Sequence, residues 1–173
     1  MTASAFAKLP HPSPIADDVR AAAIADPMFG RVFTDHMVSI RYSEDKGWHD
    51  AQVMPRGPLT LDPATAVLHY AQEIFEGLKA YRLDDGSMAL FRPDANAARF
   101  NASARRMAMA ELPEDMFIAA VKEAVAADAH WFPPVDGGAL YLRPFMFASE
   151  VFLGVKPAAE YQFLVITSPV GNY

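Results

Sequence analysis

The extended apolar runs of this sequence come in pairs around short polar turns, and this pairing restricts the fold more than any other feature. Arg31–Arg41 reads as a strand, Ser43–Gly47 as a polar turn, and the residues to about Met54 as the returning strand. Phe75–Leu83 and Ser87–Phe91 flank Asp84-Asp85-Gly86, a second hairpin turn. Ala139–Ala148 and Tyr161–Thr167 are β-rich and apolar, bounded by Gly and Pro, and so predict buried strands. Helices fall between the pairs rather than between single strands. Asp17–Ala25 predicts a short helix, and a longer one opens at Pro93 and runs to about Met107. Another opens at Pro113-Glu114-Asp115, with Phe117, Ala120, Val121, Ala124 and Val125 spaced as one apolar stripe. The expectation is an α+β fold, a mostly antiparallel sheet with two main helices packed on it, rather than a doubly wound parallel sheet.

With 173 residues, 52% of them apolar, the chain has enough material for a full core and too much apolar surface to remain disordered. No stretch approaches the ~20 apolar residues of a membrane helix, and the N-terminus has no secretory pattern, which predicts a cytoplasmic protein with no membrane partner. The net charge of −6 gives no long-range attraction for nucleic acid, so a bound phosphate must be held by one or two placed residues. The absence of Cys removes disulfides, thiolate catalysis and thiolate metal sites. Residues 1–28 read as an arm (three prolines before Ile15) plus the short helix, 29–168 as the α+β domain, and 169–173 as the start of a connection to another domain. The ending, directly after a buried strand, reads as a cut inside a larger protein.

Generic catalytic motifs are absent: no Walker loop, GxGxxG, HExxH or GxSxG. Ser43-Glu44-Asp45-Lys46 spells S-x-x-K but lies in a charged turn without companion motifs, and Asn101-Ala102-Ser103 spells a glycosylation sequon inside a helix. The five histidines show no i, i+4 pairing, which predicts no metal site, although Asp35-His36 stays open. Three groups carry the chemistry that remains. Arg143, inside the apolar run Tyr141-Leu142-Arg143-Pro144-Phe145, needs an anionic partner, from the protein or from a ligand. Arg99, Ser103 and Arg106 share one helix face, suited to an anion and equally to water. Phe29, Tyr70, Phe75 and Tyr141 serve either as core or as the wall of a small apolar pocket, and Gly77 permits a close approach.

Seven words in sequence then resemble one family. They are Phe29-Gly-Arg-Val-Phe-Thr-Asp-His-Met37, Leu68-His-Tyr-Ala71, Ile74-Phe-Glu-Gly-Leu-Lys-Ala-Tyr-Arg82, Leu90-Phe-Arg-Pro93, Leu140-Tyr-Leu-Arg-Pro144, Leu153-Gly-Val155 and Ser168-Pro-Val-Gly171. In this order and spacing they resemble the branched-chain amino acid aminotransferases, pyridoxal 5'-phosphate enzymes of fold type IV. The resemblance runs from about Phe29 to Tyr173 and implies the smaller, N-terminal domain of such an enzyme.

It further implies that Arg99 holds the cofactor phosphate. Phe29, Tyr70 and Phe75 would belong to the substrate pocket of one subunit, and Tyr141, Arg143, Leu153 and Val155 would come from its neighbour, in a homodimer with a shared active site or a higher oligomer. The implied reaction passes the amino group of leucine, isoleucine or valine to 2-oxoglutarate, giving glutamate. The family's Schiff-base lysine lies in the larger domain; Lys8, Lys46, Lys79, Lys122 and Lys156 do not stand in its context, so this chain alone is expected to be inactive. Two other readings are a non-catalytic dimerising or ligand-binding lobe, and another fold type IV enzyme, a D-amino acid aminotransferase or aminodeoxychorismate lyase.

Overall fold

The structure is a computed structural model and describes residues 6–171. Among these residues eight strands form one sheet: β1 (Ala7–Lys8), β2 (His36–Ser43), β3 (Gly47–Pro55), β4 (Glu73–Phe75), β5 (Leu78–Arg82), β6 (Met88–Leu90), β7 (Ala139–Ala148) and β8 (Glu160–Val170). The helices are α1 (Asp17–Ala25), α2 (Val67–Tyr70), α3 (Pro93–Arg106) and α4 (Glu114–Ala127), with a 3₁₀ turn at Ala129–Trp131. Across the sheet the order is β1-β3-β2-β8-β7-β5-β6, and β4 pairs with β7 beyond the stretch that β5 takes. Every pairing among these strands is antiparallel except that of β1 with β3. The α+β expectation with two main helices is therefore the architecture.

The β7–β8 ladder is the spine of the domain, pairing Ala139 with Val170 through Ala148 with Tyr161. Side chains alternate between the faces of a strand. Leu140, Leu142 and Met146 of β7 point with Tyr161, Phe163 and Val165 of β8 into the core beneath the helices. Tyr141, Arg143 and Phe145 point the other way, where Met37, Phe147 and Leu164 form a smaller apolar cluster. The apolar stripe of α4 packs on the core face: Phe117, Ala120, Val121, Ala124 and Val125 are all buried. Pro93 starts α3 without losing a hydrogen bond, since first-turn N–H groups have no intrahelical partner.

Two expectations are corrected. The strand read over Arg31–Arg41 begins only at His36, because residues 31–35 form a loop in which the Thr34 N–H donates to the Thr167 carbonyl. The arm is docked where it is described: Ala7 and Lys8 pair with Gln52 and Val53 on β3, and the Ile15 N–H donates to Asp35. Residues 1–5 of the arm and 172–173 of the expected connection lie outside the described residues. No described helix is long and apolar enough to cross a membrane.

Candidate functional site

Arg143 and its surroundings follow from strand alternation. β7 turns Tyr141 and Arg143 to the same face, and the Tyr141 hydroxyl accepts two hydrogen bonds from that guanidinium, from Nε at 2.9 Å and Nη2 at 2.7 Å. β4 pairs Phe75 opposite Phe145, and the Arg143 guanidinium stacks 4.4 Å from the centre of the Phe75 ring. Phe29 closes the other side, its ring 4.9 Å from that of Tyr141 and nearly edge-on. Phe29, Gly30, Phe33, Tyr141, Arg143 and Ile166 thus line a small apolar pocket of about 190 Å³.

No carboxylate pairs with Arg143 among the described residues; a phenol and aromatic faces are its partners. Of the two partners the sequence allows for this part-buried cation, a protein carboxylate is therefore not the one found. A cation walled by rings and held by a neutral hydroxyl keeps most of its charge available to an incoming anion. Gly77 is required here for space, because a Cβ at that position would stand 2.7 Å from the Tyr141 hydroxyl oxygen.

Arg99 lies around the sheet margin. The one-sided stripe of α3 places Arg99, Ser103 and Arg106 along an open groove of about 510 Å³, completed by Ile74, Phe75 and Met107. The Arg99 side chain remains 65% exposed, while its carboxylate partner, Glu76, is 4% exposed. Arg99 forks onto Glu76 through Nε and Nη2, both at 2.6 Å, and Asn96 adds a third donor at 2.8 Å. Nη1 takes no part in that fork. Two guanidinium groups and a hydroxyl on one groove are a donor set that fits a phosphate, such as that of the cofactor the resemblance implies. Phe75 touches both places, lining this groove and stacking on Arg143.

Sequence reasoning missed Glu76. Its only signal was a carboxylate inside an otherwise apolar, strand-like word, and its partner is 23 residues away. Burial opposes its charge, but hydrogen bonds from Arg99 and Asn96 outweigh burial and hold its carboxyl below the usual carboxylate range. A lowered folded-state pKa contributes stability that is present above the unfolded value of ~4.3 and is lost as pH falls through the folded value. Glu76→Gln is therefore expected to lose less stability than the wild type between about pH 4.5 and the acid limit. Urea denaturation at neutral and acid pH measures this, and identical acid dependence would remove the charged pairing.

The remaining residues fall into two groups within the chain. Tyr141 and Arg143 meet Phe29 and Phe75 within one chain, because β4 and the 29–34 loop converge on the same face of β7. Tyr70, Leu153 and Val155 are not brought to this cluster. Tyr70 ends α2, and Leu153 and Val155 sit in the loop after the far end of β7, exposed, with Val155 at 95%. That loop is tied to the approach to α2 by the Thr65–Val151 bridge and by the Phe152 N–H donating to the Ala64 carbonyl.

Comparison with known proteins bears on this geometry. No protein-family model matches the chain. Over 174 residues it is 59% identical to a probable branched-chain-amino-acid aminotransferase of Streptomyces coelicolor, covering 100% of this chain and 48% of that protein. It is 57% identical to the branched-chain-amino-acid aminotransferase of Mycolicibacterium smegmatis, covering 93% of this chain and 44% of that protein. The chain thus spans about half the length of the curated relatives it matches. Among solved structures, the branched-chain amino acid aminotransferase from Escherichia coli superposes with a TM-score of 0.57. That match covers 80% of this chain and 41% of that one at 21% identity, a likeness of fold.

Proposed function

We propose that this chain, which belongs by sequence to the branched-chain-amino-acid aminotransferases, forms the N-terminal part of a transaminase exchanging amino groups between leucine, isoleucine or valine and 2-oxoglutarate. The observation that carries the reading is Arg143: a cation in an aromatic-walled pocket, bonded to a phenol and to no protein carboxylate among the described residues. A pocket serving this exchange must accept branched apolar side chains and also the second carboxylate of glutamate. Phe29, Phe75 and Tyr141 suit the first, and Arg143 at their edge suits the second.

Pyridoxal 5'-phosphate, when bound, supplies the electron sink for moving the amino group. Arg99 would hold its phosphate, with Glu76 fixing the direction of the fork and Phe75 standing between that end and Arg143. Tyr70, Leu153 and Val155, exposed and apolar, would complete the pocket of a second copy in a cytoplasmic homodimer.

The test joins this chain to the C-terminal part of the Streptomyces coelicolor relative and assays leucine with 2-oxoglutarate. The chimaera is expected to transaminate and the 173-residue chain alone is not; an inactive but folded and cofactor-loaded chimaera would reject the reading. In the same chimaera, Arg143→Ala is expected to raise the KM for glutamate by roughly 10- to 100-fold, the worth of a charge-assisted hydrogen bond, and that for leucine by much less. Equal losses for both substrates would rule out a role for Arg143 in carboxylate selection.

A further inference from the structure

We infer that Asp35, Asp128 and His130 form a binding site for one zinc-type divalent cation, joining the start of β2 to the turn after α4. Asp128 and His130 are neighbours two residues apart, and Asp35, more than ninety residues earlier, meets them because the end of α4 and its 3₁₀ turn lie against the loop entering β2. One ligand atom from each lies within 4.8 Å of the other two. Both carboxylates are 1% exposed, whereas the His130 side chain is 41% exposed and has room to adjust toward them. In a tetrahedral zinc site with bonds of about 2.0–2.2 Å, ligand atoms stand roughly 3.3 Å apart, so small side-chain movements close this set. The His130 Nε2 to Asp35 Oδ2 separation is already 3.4 Å.

The charges argue in the same direction. Two buried carboxylates side by side repel each other and are poorly solvated. The bases facing them are His130, His36, whose Nδ1 is 2.8 Å from Asp128 Oδ1, and His11, whose ring lies 5.3 Å from that of His36. A dication neutralises both carboxylates at once.

The carboxylates are also oriented by hydrogen bonds, as metal ligands usually are, Asp35 through both of its oxygens. The Ile15 N–H and Trp131 Nε1 donate to Asp35, both at 2.9 Å, and the His36 N–H donates to Asp128 at 3.0 Å. Hard cations such as magnesium and calcium prefer more ligands, all oxygen. One imidazole with two carboxylates favours zinc and leaves a fourth position for water on the exposed His130 side. The site shares no residue with the Arg99 groove or the Arg143 pocket.

Titration of the chelator-stripped 173-residue chain with zinc chloride, by calorimetry and by thermal melting, tests this. One zinc per chain and a rise in Tm are expected, because a ligand that binds only the folded state stabilises it. Magnesium is expected to do neither. His130→Ala removes the exposed ligand and should weaken zinc binding at least tenfold and reduce the zinc-dependent rise in Tm, measured from its own metal-free Tm. His69→Ala, at a histidine bonded to the Pro63 carbonyl elsewhere, should bind as the wild type does. Absence of a saturable single site, or equal affinity in His130→Ala, would overturn the assignment.

Discussion

Phe163→Ala is expected to destabilise the protein by about 3–5 kcal/mol, the usual loss for a fully buried phenylalanine. Phe163 is central to β8 and pairs with Ile40 on one side and Met146 on the other, while its ring meets both long helices. It stands edge-on to Phe100 of α3 at 5.5 Å and tilted to Phe117 of α4 at 6.0 Å, and none of the three is more than 1% exposed. Truncation removes the transfer free energy of the ring and leaves a cavity between sheet and helices that a hydrogen-bonded ladder cannot collapse to fill. For a chain of this size the fall in Tm is roughly 6–20 °C. Chemical denaturation should show a lower midpoint with an unchanged slope. Val155→Ala, at a large apolar side chain that is 95% exposed, should stay within about 0.5 kcal/mol; a comparable small loss at Phe163 would mean that it does not join the layers.

Arg99→Ala, made in the chimaera, is expected to weaken pyridoxal phosphate binding on the order of 100-fold, or ~2.7 kcal/mol. The substitution removes the forked donor and also strips Glu76 of its cation, leaving a buried carboxylate with Asn96 and the Gly77 N–H. Arg99→Lys restores charge but not the planar fork, and should recover only part of the affinity. Glu76→Gln keeps the cation while loosening its direction, with an expected loss of roughly 5- to 10-fold, less than for a missing donor. Absorbance titration of the stripped protein with cofactor measures all three. Unchanged binding in Arg99→Ala would reject the phosphate role, and an equal loss in Glu76→Gln would show that Glu76 acts on more than orientation.

Much of the fold was legible where a local pattern was complete. Asp17–Ala25 and Ala139–Ala148 occupy the helix and strand read from them, because Asp17 and Asp18 open the helix, Pro27 follows it, and Gly137-Gly138 immediately precede the strand. The strand read from Arg31 failed at its start. Its imperfect alternation describes a loop whose hydrogen bonds go to β8 rather than to a continuous neighbour, and nothing within eleven residues reports that. The docking of Ala7–Lys8 was illegible for the same reason, since its partners stand more than forty residues away.

The candidate site divides along the same line. Period-two alternation puts Tyr141 and Arg143 on one face of any strand that holds both, and the period of α3 puts Arg99, Ser103 and Arg106 on one stripe. These are properties of a single element and reside in the order of its residues. Which groups meet them depended on the sheet, where β8 is inserted between β2 and β7, and β4 reaches β7 just before a break that turns Glu76 toward α3. Residue order alone thus settled which way these side chains face. It took the assembled sheet and helices to stack Arg143 on Phe75, to hold Arg99 with Glu76, and to bring Asp35 beside Asp128 and His130. Orientation is set by backbone geometry over a few residues, whereas partnership is set by strand order and register, which arise from packing across the whole chain.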